Sequence, residues 1–207
     1  MPAGEISQDV MNTFVIAAHG DLPKVQAMLA EHPALLHSRA AWQETPLQAA
    51  AHTGNQDVVR FLLSQGVAMD IFAAAVLGLV DRVREFLDAD PGLGEARGAH
   101  GIPLLFHVAA AGQQEVCALL VDRGVDVNTG AGGNTALHAA ALFGRGALAE
   151  WLLVRGADVN ATDYEGRTPL QRAIATRHAD VADLLRRHGP GKTPARAFPP
   201  GSSPPPG

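Results

Sequence analysis

The chain has 207 residues, of which 47% are hydrophobic and only 5% aromatic, with most of the apolar content supplied by Ala, Leu and Val. That composition can build a core, so it excludes wholesale disorder and leans toward helices. A net charge of −5 without any basic run excludes a protein that grips nucleic acid or an anionic membrane through phosphates, and the lone Cys117 excludes both an intramolecular disulfide and a cysteine-based zinc cluster.

Residues 1–8 read as a short lead. The opening MPAGEISQDV lacks the charged-then-apolar layout of a signal peptide. The most apolar stretch, Val67 to Val80, is broken by Asp70 and too short to span a bilayer. A cytoplasmic location is therefore expected.

From residue 9 the chain reads as successive helix pairs. The first turns at Gly20, carries Val25 on its core side, and stops at Pro33 in KVQAMLAEHPALLHSR. The second opens with TPLQAAAHTGN from Thr45, where Thr suits an N-cap and Pro the first turn. After Gly54 its second helix places Val58, Val59, Leu62 and Leu63 on one face, and Gly66 ends it.

The third pair starts abruptly. GVAMD runs straight into IFAAAVLG, so Asp70 is expected to cap the first helix with no room for a protruding turn. Its second helix, RVREFLDADPGLGEAR, again stops at a proline, Pro91. The fourth aligns Pro103 with Thr45, turns at Gly112, and repeats the apolar stripe at Val116, Cys117, Leu120 and Val121 before Gly124. The fifth, TALHAAALFGR from Thr135, continues through Gly144 to Leu148, Ala149, Leu152 and Leu153, then Gly156. The sixth, TPLQRAIATRH from Thr168, has Arg177 at the turn and closes at Gly189, where a left-handed glycine is again expected. Residues 190–207, with half of the chain's fourteen prolines, read as a disordered Pro-rich tail.

The turn positions Gly20, Gly54, Gly78, Gly112, Gly144 and Arg177 are spaced by 34, 24, 34, 32 and 33 residues. Together with TALHAAA, the paired leucines, GADVN and DYEGRTPL, this resembles the ankyrin repeat, a helix-turn-helix plus a β-turn finger. The resemblance covers residues 9–189 and implies an all-α ankyrin-repeat solenoid of about six stacked helix-turn-helix pairs with short β-turn fingers. The 24-residue interval implies a notch where the third finger is missing.

No catalytic signature is present: GxSxG, a P-loop, HExxH and CxxC are all lacking, and GLGEARG from Gly92 has the wrong spacing for a dinucleotide site. No enzymatic activity, cofactor or metal is expected. The sequon at Asn160 would matter only after export. At the fourth position of TALH, the resemblance implies that His138 hydrogen-bonds backbone between repeats, a role Gln48 and Gln171 can share and Phe106 cannot. Cys117 shares its register with Val25, Val59, Val83 and Ala149, which makes it a core residue. His52, His100 and His107 lie on different repeats without an i, i+4 partner, so a metal- or small-molecule-responsive regulator built on these groove histidines is the alternative reading.

The resemblance implies a concave groove formed by the finger tips and the exposed face of the first helices. Carried over by position, the fingers offer Ala41, Trp42 and Glu44; Ala99, His100 and Ile102; Ala131, Gly132 and Asn134; and Tyr164, Glu165 and Arg167. The two residues before each turn glycine add His52 and Thr53, Val76 and Leu77, and Leu142 and Phe143. Exposed aromatics with Arg suit a protein-binding surface. The leading reading is a monomeric protein-interaction module that binds another protein through Trp42, Glu44, His52, His100, Leu142, Phe143, Tyr164, Glu165 and Arg167. Trp42, Phe143 and Tyr164 are its anchors.

Overall fold

The structure is a computed structural model that describes residues 6–130 and 132–189. The expected tail, 190–207, and the finger residue Ala131 lie outside the described residues. Among the described residues twelve α-helices form six layers: α1 Gln8–Ala18 with α2 Leu22–Glu31, α3 Pro46–His52 with α4 Gln56–Ser64, α5 Ile71–Val76 with α6 Val80–Ala89, α7 Leu104–Ala111 with α8 Gln114–Asp122, α9 Ala136–Leu142 with α10 Gly146–Val154, and α11 Pro169–Ala175 with α12 Ala179–Arg187. The chain is the all-α solenoid that its repeats imply.

Local chemistry starts each layer. Thr45, Thr135 and Thr168 cap α3, α9 and α11 in reciprocal capping boxes, with Gln48, His138 and Gln171 returning a bond to the cap nitrogen. Asp70 caps α5 by accepting from the Ala73 N–H at 2.8 Å, as the shortened interval requires. The first helices bury runs of alanine, such as Ala49–Ala51, Ala73–Ala75 and Ala139–Ala141, so neighbouring layers approach closely. The core forms two clusters that meet at α5, where Ala73 and Val76 face the first two layers and Ala74 and Ala75 face the later ones.

The second helices stop in two ways. Gly66, Gly124 and Gly156 take left-handed φ of 97°, 97° and 92°, and the following N–H bonds back to the helix, as the sequence suggests. Pro33 and Pro91 instead begin short 3-10 turns, Pro33–His37 and Pro91–Glu95. Gly189 departs from expectation: it does not take positive φ, although its N–H makes the same bond to the carbonyl three residues back, that of Arg186 at 3.3 Å, as the other closing glycines do.

A side-chain ladder ties the layers together. The carbonyls of His19, Val76, Ala110 and Leu142 bond to Thr53, Gln113, Arg145 and His178 of the next layer. The residue that follows the turn in the third layer is Leu79, which has no polar side-chain atom to continue the ladder. There the second layer packs on the fourth as well as on the third, and Gly54 lies against Ala111.

The fingers are turns more than strands. Among the described residues the only β-bridge pairs Arg97 with Pro103. Backbone bonds from Ala40 to Glu44, Gly98 to Ile102 and Asp163 to Arg167 close three fingers, and Gly133 to Gly130 closes the other. No hairpin forms between Gly66 and Phe72, so the third finger is missing. The expected notch is nonetheless narrowed, because the next finger brings His100 to 3.7 Å from Glu44.

Candidate functional site

The shortened third layer determines what meets on the finger side. With no finger of its own, it lets residues of layers one, two and four converge on one carboxylate. Glu44 ends the first finger and is only 2% exposed. This corrects the expectation that Glu44 offers its charge to a partner: in this finger the last position turns inward, as Ile102 does in the equivalent place, whereas the equivalent Arg167 stays exposed.

Around Glu44 stand His19 from the end of α1, His52 from the end of α3 and His100 from the next finger. His19 Nε2 lies 3.6 Å and His52 Nδ1 3.7 Å from Glu44 Oε1, while His100 Nε2 lies 3.7 Å from Oε2. Trp42 donates its Nε1–H to Glu44 Oε2 at 2.7 Å. Glu44 Oε1 and His52 Nδ1 are buried and have no hydrogen-bond partner among the described residues.

Burial pushes the Glu44 carboxyl up, but the His19, His52 and Trp42 contacts outweigh it and hold the group well below the usual carboxylate range. Contact with Glu44 raises His19 against a desolvation that lowers it. His107 behaves differently. It is buried in α7 with Nδ1 bonded to the Pro103 carbonyl at 2.9 Å, and desolvation pushes it down to about 4. His107 therefore faces the core, although its ring lies 5.7 Å from that of His52.

The remaining expected residues divide between groove and core. Trp42 is 41% exposed and Tyr164 68% exposed, both on finger tips. Arg172 lies over the Tyr164 ring at 5.8 Å and is joined to the buried Asp163 and, at 3.5 Å, to Glu165. Glu165 and Arg167 are exposed and pair with each other at 3.0 Å. Leu142 and Phe143 are half-buried, and Phe143 packs against the core of the later layers, so it does not stand free as an anchor. Between the fingers 98–102 and 130–134 lies a cavity of about 780 Å³, lined by His52, Arg97, His100, Asn134 and Tyr164 among others.

Two other residues behave as the sequence suggested. His138 bonds its own cap and reaches across to the Arg167 carbonyl at 3.0 Å, whereas Gln48 and Gln171 bond at their own caps. Cys117 is fully buried, and desolvation pushes its thiol up to about 12, which leaves it an inert core residue.

His19 and Arg172 were not singled out in the sequence. His19 does have a signal, since it holds the same pre-glycine register as Thr53 and Phe143. Arg172 has a signal only in hindsight, as a basic residue on a first helix four positions after a capping Thr.

Profiles described as ankyrin repeats (3 copies), ankyrin repeats (many copies) and ankyrin repeat match residues 71–163, 148–186 and 42–76. The chain belongs to the ankyrin-repeat family. It is 27% identical over 202 residues to a Caenorhabditis elegans homolog of transient receptor potential cation channel subfamily A member 1, a match covering 86% of this chain and 16% of that protein. It is 38% identical over 97 residues to the Drosophila melanogaster E3 ubiquitin-protein ligase Ufd4, covering 45% and 4%, and 28% identical over 199 residues to the Arabidopsis thaliana E3 ubiquitin-protein ligase KEG, covering 90% and 11%. The matches span at most 16% of these relatives, so the likeness concerns the repeats that they carry. No helix among the described residues is long and apolar enough to cross a membrane.

Proposed function

We propose that this ankyrin-repeat chain is a non-catalytic, monomeric interaction module that holds a protein segment against its fingers, between His100 and Tyr164. Ankyrin repeats are protein-interaction modules, and that membership supports the general reading. The observation that carries the finer one is the cavity of about 780 Å³ between the fingers, bordered by a tyrosine that is 68% exposed. A large aromatic left in water adds little to the fold, yet such residues can supply most of an interface's energy. Trp42 contributes its open face from the other end, while Arg167 and Glu165 provide polar groups at the rim. The net charge of −5 and the lack of a basic run argue against nucleic acid as the partner.

The test is affinity capture with the wild type, with Tyr164→Ala/Arg167→Ala, and with Val154→Ala, an exposed control on the second helix α10. The finger variant should lose the captured partner while its circular dichroism stays unchanged. Loss of one good anchor costs about 2 kcal/mol, roughly thirtyfold in affinity. An identical set of captured proteins for the wild type and the finger variant would refute the assignment.

A further inference from the structure

We propose that His19, His52 and Glu44 form a binding site for a divalent transition-metal ion of the zinc type, beside the groove. The donor atoms are His19 Nε2, His52 Nδ1 and Glu44 Oε1, which lie within 4.8 Å of one another. Two imidazoles and a carboxylate are the donor set of many three-residue zinc sites that leave a fourth position open.

The distances carry the argument. At 3.6 and 3.7 Å from Glu44 Oε1, the two ring nitrogens are too far for hydrogen bonds, which close at about 2.7–3.2 Å. Two ligands on one tetrahedral zinc, each about 2.0–2.1 Å from it, stand roughly 3.3–3.4 Å apart. The separations from Glu44 to each histidine are within a few tenths of an ångström of that spacing.

The bonding state of each donor agrees. His19 Nδ1 lies 3.1 Å from the Val15 carbonyl, which as an acceptor must receive a proton from it. In the neutral ring this leaves the Nε2 lone pair aimed at Glu44, the arrangement in which a ligating histidine donates its other N–H to backbone. Trp42 occupies Glu44 Oε2 and so orients the carboxylate with Oε1 turned to the histidines. Glu44 Oε1 and His52 Nδ1 are then two of the three buried side-chain atoms, Ser38 Oγ being the other, that lack a hydrogen-bond partner among the described residues, and a buried group without one is costly. Access exists, because the His19 and His52 side chains keep 31% and 24% of their surface exposed. The three ligands come from α1, the first finger and α3, so the ion would clip the first layer to the second.

The experiment uses the full chain, stripped with a chelator and titrated calorimetrically with zinc chloride, then with cobalt(II) to read its visible ligand-field bands. One equivalent should bind, and His52→Gln and Glu44→Gln should each weaken binding by at least about tenfold, since losing even an outer-shell partner costs that much. His37→Gln, an exposed histidine away from the cluster, should bind as the wild type does. Should a ligand variant fail to fold, histidine ring resonances of the wild type decide: zinc must shift His19 and His52 and leave His37 in place. No binding, binding spared by His52→Gln, or ring shifts confined to other histidines would overturn the site and leave an ion pair between His19 and Glu44.

Discussion

Gly54 of the second layer lies directly against Ala111 of the fourth: a Cβ built on Gly54 would stand 2.5 Å from the Ala111 backbone nitrogen. Backbone cannot move aside as a flexible side chain can. The contact exists because α5 has only six residues and no finger, which lets the layers on either side meet over it. The same closure brings His100 toward Glu44, so the packing and the candidate site have one cause.

A comparison of two glycines tests this contact. Gly54 and Gly66 both have positive φ, 67° and 97°, but a Cβ on Gly66 meets nothing within 4 Å. Gly66→Ala should cost about 1–2 kcal/mol, the left-handed penalty alone. Gly54→Ala should cost roughly 1–3 kcal/mol more from the forced overlap. Chemical denaturation of the two variants checks the difference.

Arg177 occupies the turn where Gly54, Gly78, Gly112 and Gly144 stand in other layers, and it shares their conformation with φ of 64°. Its side chain is exposed. Arg177→Gly should therefore stabilise the chain by up to about 1 kcal/mol, the left-handed cost relieved less the extra entropy of glycine. A raised melting temperature with unchanged circular dichroism is the expected result.

The layers were legible because stacking repeats the same demands. Thr at the cap, glycine at the turn and paired apolar residues recur at a fixed register, and α3, α9 and α11 begin where those residues place them. The candidate site was less legible. His19 and Glu44 are 25 positions apart, Glu44 and His100 are 56 apart, and no local pattern links them. His19 and Glu44 meet across adjacent layers, whereas His100 reaches Glu44 only because the short third layer lets its neighbours close. Glu44 also looked exposed because finger positions differ in direction: Trp42 points out and Glu44 points in, although only Gln43 separates them. Phe143 misled in the same sense, since a residue before a turn glycine can lean back on the core of the later layers.

Acid sensitivity has an identifiable source in His138. Desolvation lowers its pKa from 6.5, against bonds to the Arg167 and Ala161 backbone that raise it. Between 6.5 and the lower folded value the unfolded chain binds a proton that the folded chain refuses, so this contribution is present above pH 6.5 and declines as pH falls. His107, lowered to about 4, adds a decline in the same direction. His138→Gln keeps the capping box, as Gln48 and Gln171 do, but loses the bond to the Arg167 carbonyl. It should be less stable by about 1 kcal/mol near neutrality and lose less on acidification, with His107 supplying a remaining decline that the raised His19 opposes. Denaturant midpoints from pH 7.5 down to about 5 read both effects, and parallel profiles for variant and wild type would refute the assignment to His138.

The last finger is held at its base by a buried carboxylate, Asp163, where the other fingers have none. Asp163 is buried and accepts the Glu165 and Arg167 N–H groups at 2.9 Å each, as well as the Arg172 guanidinium. The equivalent residues in the other fingers are Ala40, Gly98 and Gly130; beside their backbone bonds, Arg39 donates to the Gln43 carbonyl at 3.1 Å and Arg97 to the Gly101 carbonyl at 2.9 Å. Arg172 is itself largely buried and leans over Tyr164, so the pair holds both the finger and the exposed ring beside the groove. Removing one member of a buried pair leaves the other uncompensated, and Asp163→Ala should cost about 3 kcal/mol. Asp163→Asn should cost less, because an amide oxygen can still accept from the finger nitrogens. The double variant Asp163→Ala/Arg172→Met should recover part of the loss, since no unpaired charge then stays buried. In a thermodynamic cycle the coupling between Asp163 and Arg172 should exceed 1 kcal/mol, near the top of what an exposed pair gives. Strict additivity of the two single variants would instead mean that the finger holds itself through its backbone bonds alone.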